Sequence, residues 1–386
     1  MHNTTPQYPH KSTRELKASL FLFRLLSKRF IVRTSLYLWR FLQSIRFPTK
    51  HLISFTGYEQ FCAGQDVISC HSITEKLAQY KVYSVLDYAN EHAIAEIDYD
   101  HNTAAVLETI EAAKNNKAYP FAVVKPSAIG SFELYHKKGY GHKLNASEQL
   151  IWTAMQQRLE QLINAAAQAT IVLMIDAEES WIQDGVDLLV LPLLRKYNTD
   201  KVVVALTIQL YLKDRNLHYK RLLEEADKKG YVIGVKLVRG AYMEKERSRA
   251  AALKISSQVC ESKAVTDSQY RDALKLALKN INRHLCIVAT HNQSDINWAV
   301  DYCSRNTISL RNANLWFSQL YGMRDYISFS LAAQDANVFK YVPFGPLEQA
   351  VPYLIRRALE NSAMKAQTLQ ECLMLKKELK RRRLNG

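Results

Sequence analysis

Apolar and polar positions follow two different periods along this chain. From about residue 80 onward, short apolar and β-branched runs alternate with longer stretches of helical period. The runs are VYSVLDY, FAVVKPSAIG, TIVLMIDAEES, KVVVALTIQLY, GVKLVRGAY, CIVATHN, NLWFSQLYG and VFKYVPFG. Several are nearly continuous in apolar residues, as parallel strands covered on both faces are. Between them lie segments such as ASEQLIWTAMQQRLEQLINAAAQ, whose apolar residues recur at helical spacing. Repeated βα units predict an α/β fold of the (βα)8 TIM type. An open doubly wound sheet is the rival, but evenly matched units favour closure.

Residues 1–75 read as a helical arm, 76–365 as the barrel, and 366–386 as a basic C-terminal helix or tail. Within the barrel's last segment, YLIRRALEN places two arginines side by side. Tyr353, Arg356, Arg357 and Glu360 share one helical face, while Val351, Leu354, Ile355, Ala358 and Leu359 form an apolar stripe. The spacing predicts a helix that buries the apolar stripe and offers the arginine face to water or to an anionic ligand.

Polar residues recur where the apolar runs end: Lys125, Asp176, Gln209, Lys236, Arg239, His291 and Tyr341. In a TIM barrel the C-terminal strand ends carry the ligand site. A single such residue is as readily a strand-end group facing water; seven at one topological level point to a site. The set is rich in cations around one strong acid, Asp176. It suits an anionic substrate and a phosphate-bearing cofactor rather than a hydrolytic triad.

Composition narrows the class. The 386 residues are 48% hydrophobic and 23% charged, an ordinary globular balance. The net charge is +15, which favours anionic partners. The charge gathers near the start, in SLFLFRLLSKRFIVRTSLYLWRFL, and at the end, in LKKELKRRRLNG. A nucleic-acid binder would interleave aromatic and basic residues on one face; here the aromatics follow barrel periodicity. The cysteines Cys62, Cys70, Cys260, Cys286, Cys303 and Cys372 form no CxxC pair, which argues for a reducing compartment and against a zinc ribbon. The histidines show no metal-ligand spacing, so no metal is expected. The sequence holds no GxxxxGK[ST], HExxH or GxSxG motif, and GYGHKLNAS lacks the Rossmann spacing. No run of 18 apolar residues and no secretory signal is read, so a surface-bound cytoplasmic protein is expected.

GVKLVRGAYMEKER, with IDAEES, ATHN, QLYGM and YVPFGP followed by YLIRRALEN, resembles the monofunctional proline dehydrogenases over roughly residues 55–365. The resemblance implies a distorted (βα)8 barrel with an N-terminal helical extension. It implies FAD as cofactor and oxidation of L-proline to Δ1-pyrroline-5-carboxylate, by hydride transfer from C5 to the flavin. Electrons would pass to a membrane quinone, which implies peripheral attachment to the inner membrane and an anionic membrane surface as partner. Asp176 and Lys236 are the implied catalytic residues. Arg356 and Arg357 would grip the proline carboxylate, Glu360 would support them, and Leu320, Tyr341 and Tyr353 would wall the ring. Lys125 would lie near the substrate, oriented by Asp176. For the cofactor, the resemblance implies Asp176 with Ala177, Gln209 on the isoalloxazine edge, and Lys236, Arg239, Gly240 and Ala241 after strand 5. Lys263 and Thr266 would cover the adenosine, and Thr290, His291 and Asn292 would complete the set. Two departures stand out. Lys236 takes the place of an arginine and Arg239 that of a lysine in many bacterial members, and Ser318 falls where many members have glutamine. A non-catalytic barrel would lack Asp176 or an arginine of the pair, and neither is missing.

Overall fold

The computed structural model describes residues 7–28, 30–32, 34, 58–89, 95–363 and 365–385. The strands are β1 (Val82–Tyr88), β2 (Phe121–Val124), β3 (Val172–Ile175), β4 (Val204–Gln209), β5 (Gly234–Val238), β6 (Leu285–Ala289), β7 (Leu315–Leu320) and β8 (Val338–Phe344). Seven fall within the apolar runs, and β6 starts one residue before CIVATHN, at Leu285. They form one parallel sheet in the order β1-β8-β7-β6-β5-β4-β3-β2, a nearly closed barrel of the (βα)8 type. The register sets Val82 opposite Val338 and Lys236 opposite Thr207 and Ile287. Every residue of β2 and of β8 is buried, which is why these runs show no polar alternation.

Chain contacts define two compact units. One comprises Met1–Glu91 with Gln319–Gly386, the other His92–Ser318. The first unit contains β1 and β8 together with the Thr13–Leu26 and Lys365–Asn385 helices.

In the larger unit, helices run between successive strands. Ala146–Ala169 is the longest; Asn145 caps it, and Glu148 returns the bond to the Asn145 backbone. The Ser180–Tyr197 helix packs its Ile182, Val186, Leu189 and Val190 face inward.

In the smaller unit, the Thr13–Leu26 helix buries Leu16, Leu20 and Phe23, and the Lys365–Asn385 helix buries Cys372 and Leu375. The two are joined by Tyr8, whose hydroxyl donates to Glu371 Oε1 at 3.0 Å and whose carbonyl accepts from Arg382 Nη2 at 2.9 Å. The C-terminal segment is thus an integral helix, and two of its basic residues, Arg381 and Arg382, are tied to the buried Glu378 at 2.8 and 3.0 Å. Of the basic N-terminal segment, Arg29, Arg33 and Arg40 lie outside the described residues. The six cysteines are all free and buried. Among the described residues no helix is long and apolar enough to cross a membrane.

The Leu347–Ala363 helix forms where YLIRRALEN predicts it, but its rotation differs. Ala350, Val351, Tyr353, Arg357 and Asn361 are buried, whereas Leu354, Ile355 and Ala358 are half-buried and Leu359 is exposed. Of the arginine face, Tyr353 and Arg357 turn inward, while Arg356 and Glu360 are half-buried. The Tyr353 ring lies on that same face, its centroid 5.9 Å from the Arg356 guanidinium and 5.2 Å from that of Arg357.

Candidate active site

In the larger unit, strand ends bring the predicted cations and acids together. Asp176 follows β3 directly, and its amide donates to Val124 O at 2.9 Å, which fixes it beside the end of β2. Lys125 follows β2, and its Nζ lies 3.7 Å from Asp176 Oδ2. Lys236, in mid-β5, makes a closer contact with Asp176 Oδ1. Asp176 is therefore shared between two ammonium groups, and Lys236 rather than Lys125 is its nearer partner. The β5 register turns Lys236 toward it, since a strand presents alternate residues to one face.

Gln209 ends β4, and both ends of its amide are engaged. Nε2 donates to Glu178 O at 2.7 Å, and Oε1 accepts from Ala241 N at 3.1 Å. Gly240 has φ of +136°, and a Cβ there would come within 1.5 Å of the Tyr211 ring. Packing against Tyr211 alone thus requires glycine. Arg239 is bound by Asp295 and Asp267, at 2.7 and 2.6 Å from Nη2. Asp267 also takes Lys263 at 2.6 Å. Thr266 lies on the same helix and donates to Ser262 O at 3.3 Å. Thr290 Oγ1 accepts from Asn292 N at 3.1 Å, and Asn292 caps the following helix through Ser294 N at 3.0 Å. Thr290 is buried; His291 beside it and Ala177 after Asp176 are half-buried. Ser318, in β7, is buried.

Glu178 is a site residue that the sequence reading missed. It is buried, its carboxylate accepts from Ser127 N at 2.9 Å and from Tyr242 OH at 3.4 Å, and its amide donates to Gln183 Oε1 at 2.8 Å. It thus joins the segments that follow β2, β3 and β5 to the last residue of β4. Burial pushes its carboxyl up to about 7, against the lowering bonds from Ser127. Its place two residues after Asp176 in IDAEES was the available signal; that it, rather than Glu179, would join these loops was not visible. Asp295 was missed for a similar reason, because an acid in the first turn of a helix reads as a capping residue.

In the smaller unit, Arg357 Nη2 donates to Glu360 Oε1 at 2.6 Å. Arg357 Nε and the Tyr353 hydroxyl are buried with no hydrogen-bond partner among the described residues. Unmet buried donors carry a cost that a bound anion removes. Tyr341 is buried in β8, where its carbonyl accepts from Tyr321 N at 2.9 Å, and Leu320 ends β7, half-buried.

The family model described as proline dehydrogenase matches residues 70–370. The chain belongs to the proline dehydrogenase family. The family is one of flavin-dependent oxidoreductases acting on proline. Its similar relatives include the carbapenem antibiotics biosynthesis protein CarD of Pectobacterium carotovorum, 33% identical over 88% of each chain. The mitochondrial proline dehydrogenase 1 of Arabidopsis thaliana is 31% identical over 87% of this chain and 76% of that one. Among solved structures, proline utilization A from Bdellovibrio bacteriovorus matches with a TM-score of 0.72 at 21% identity, over 90% of this chain and 37% of that one. The last likeness concerns the fold. It agrees with the proline dehydrogenase barrel described above, of which the chain spans the equivalent of about a third of that larger protein.

Proposed function

We propose that this protein oxidises L-proline to Δ1-pyrroline-5-carboxylate as a flavoenzyme, the first step of proline catabolism, and delivers the electrons to a membrane quinone. The observation that carries the reading is the cluster in which Lys125 and Asp176, at the C-terminal ends of β2 and β3, meet Lys236 of β5 in a chain of the proline dehydrogenase family. The residues fit FAD. Lys236, Arg239 and Lys263 are cations suited to its anionic parts, and Asp176, Ala177, Gln209, Gly240, Ala241, Thr266, Thr290, His291 and Asn292 flank them. When bound, FAD supplies the two-electron acceptor.

The chain's own residues do the rest. Arg356 and Arg357 take the substrate carboxylate, and Arg357 is held for this by Glu360. Two ammonium groups around one carboxylate leave a net positive environment, which disfavours a protonated substrate amine. Asp176, held from both sides, keeps Lys125 and Lys236 in place while substrate binds and leaves. Tyr341, Tyr353 and Leu320 wall the ring.

An acceptor dissolved in the bilayer requires attachment to its surface, on the cytoplasmic side of the inner membrane. Two exposed stripes support this. Lys17, Phe21 and Arg24 share one face of the first helix, with Lys28 just past its end, and Leu369, Leu373, Lys376, Lys377, Lys380 and Leu384 follow helical spacing on the other helix; Phe21 and Leu384 are 63% and 75% exposed. Apolar side chains flanked by cations are what an anionic bilayer binds.

The test is to purify the full chain, record its visible spectrum with added FAD, and follow L-proline-dependent reduction of a dye or quinone. Flavin absorbance and proline-dependent turnover are expected. A protein that stays colourless with FAD, or that is yellow but inert to proline, overturns the reading.

A further inference from the structure

Arg239 stands directly after β5, where a long cationic side chain has many rotamers open to it. The fold removes that freedom. Asp295, in the first turn of the Gln293–Arg305 helix, accepts from Nε at 3.0 Å and from Nη2 at 2.7 Å. Asp267, on the Lys263–Lys279 helix, lies 2.6 Å from the same Nη2. The guanidinium carbon stands 5.7 Å from the centroid of the Tyr270 ring, and the Tyr270 hydroxyl is anchored on Leu237 O at 3.1 Å. One edge and one face of the guanidinium are thereby set, and Nη1 is the nitrogen that neither carboxylate takes.

The burial is unequal in a way that matters. The Asp295 side chain is 0% exposed, while that of Arg239 keeps 21% exposure. A pair serving stability alone has no need to leave the arginine open, and a surface pair would not bury its acid. Asp295 Oδ1 has no hydrogen-bond partner among the described residues, and Arg271 Nε stands 3.6 Å from it. A buried carboxylate is retained at a cost unless its partner holds it. Here that partner is Arg239, with Arg271 adding charge from the exposed side. Asp267 constrains less, being part-exposed and shared with Lys263.

We propose that Asp295 is a positioning residue that aims Arg239, so that its remaining nitrogen meets an anionic part of the cofactor. The inference rests on the flavoenzyme reading. A lysine at 239 would be a point charge with no plane to set; an arginine is a fork, useful only when its plane is fixed. Two parts of FAD carry or gain negative charge. The pyrophosphate is anionic in both oxidation states, and the ring gains charge on reduction. The first would appear as affinity, the second as potential.

The experiment uses the purified full-length holoprotein and the variants Asp295→Asn, Arg239→Met and the double variant. Two quantities are read: the rate of FAD release, from the rise of flavin fluorescence, and the two-electron midpoint potential. If the pyrophosphate is the partner, Asp295→Asn releases FAD about tenfold faster, the scale of one charge-assisted bond. If the reduced ring is the partner, release is unchanged and the potential falls by about 30 mV, the equivalent of tenfold in a two-electron couple. In either case Asp295→Asn adds nothing once Arg239 is methionine. The proposal is overturned if Asp295→Asn changes neither quantity, or if its effect persists undiminished beside Arg239→Met, which would make Asp295 a stability residue only. Should the single change prevent folding, the double variant, which removes both charges, is compared with the wild type, and unchanged release and potential there overturn the proposal equally. A wild-type protein that binds no FAD sinks the flavoenzyme reading and this inference with it. A wild type that binds FAD beside an unaffected Asp295→Asn sinks this inference alone.

Discussion

At the scale of single residues, the adjacent arginines differ more than their sequence suggests. Arg357 is buried and bonded to Glu360, whereas Arg356 is half-buried. Arg356→Met and Arg357→Met are both expected to raise KM for proline about 30-fold or more, the loss of a charge-assisted carboxylate contact worth roughly 2–5 kcal/mol. Only Arg357→Met should also lower the melting temperature clearly, because it removes a buried group and strands Glu360. Steady-state kinetics beside thermal melts separate the two effects; an unchanged KM in both variants would remove the pair from substrate binding. Tyr341 supports a second expectation. Its buried phenol would crowd a ring 4-hydroxyl, so kcat/KM for L-proline should exceed that for trans-4-hydroxyproline by roughly tenfold or more, the scale of one misfitting group. Tyr341→Ser should narrow the ratio, and equal rates on both substrates with the native chain would refute the role.

At the scale of elements, the two terminal helices carry buried and exposed functions together. Cutting the chain after Gln370 would remove Glu371, which bonds to Tyr8 and to Arg324 N at 3.1 Å, along with the buried Cys372 and Leu375. Such a truncation tests folding rather than attachment. Surface charge reversal avoids this. Lys376→Glu, Lys377→Glu and Lys380→Glu together should abolish co-sedimentation with anionic vesicles at low salt, since each lysine contributes about 1 kcal/mol toward such a surface. Native binding that weakens at high salt is the companion expectation. Unaltered co-sedimentation of the triple variant would show that this helix does not hold the protein on lipid.

At the scale of the whole molecule, Glu178 makes global stability depend on pH. Its folded carboxyl is raised to about 7 from an ordinary 4.5, mainly by burial. Between those values the folded state keeps a proton that the unfolded chain has released. Stability from this group is therefore greatest below about pH 4.5 and declines as pH rises toward 7. Glu178→Gln lacks the titration. Its stability relative to the native chain should improve between pH 4.5 and pH 8, by an amount on the order of 3 kcal/mol. Chemical denaturation of both proteins at the two pH values checks this, and a constant difference would mean that Glu178 is ionised throughout.

The sequence by itself determined the eight strands, their parallel arrangement and the level at which polar groups collect. Strands buried on both faces are apolar in nearly every residue, as FAVV is and as VFKYVPF is apart from Lys340, whose charge is paired with Asp325 at 2.8 Å. It also determined that Lys125, Asp176 and Arg239 stand at strand ends, because each follows an apolar run, while Lys236 interrupts one and lies inside β5. Only the tertiary structure decided which of these groups meet. Asp176 prefers Lys236 over Lys125, and Arg239 finds Asp295, 56 positions later in the chain. The inward turn of Tyr353 and Arg357 was likewise beyond the helical pattern, which marks two faces but not which one is covered. The same holds for Glu178 against Glu179, and for the pairing of Tyr8 with Glu371 across 363 positions. Periodicity is a local property of the chain. Ion pairing and the burial of a charge depend on groups brought together by folding, and one sequence read in order carries no record of those distances.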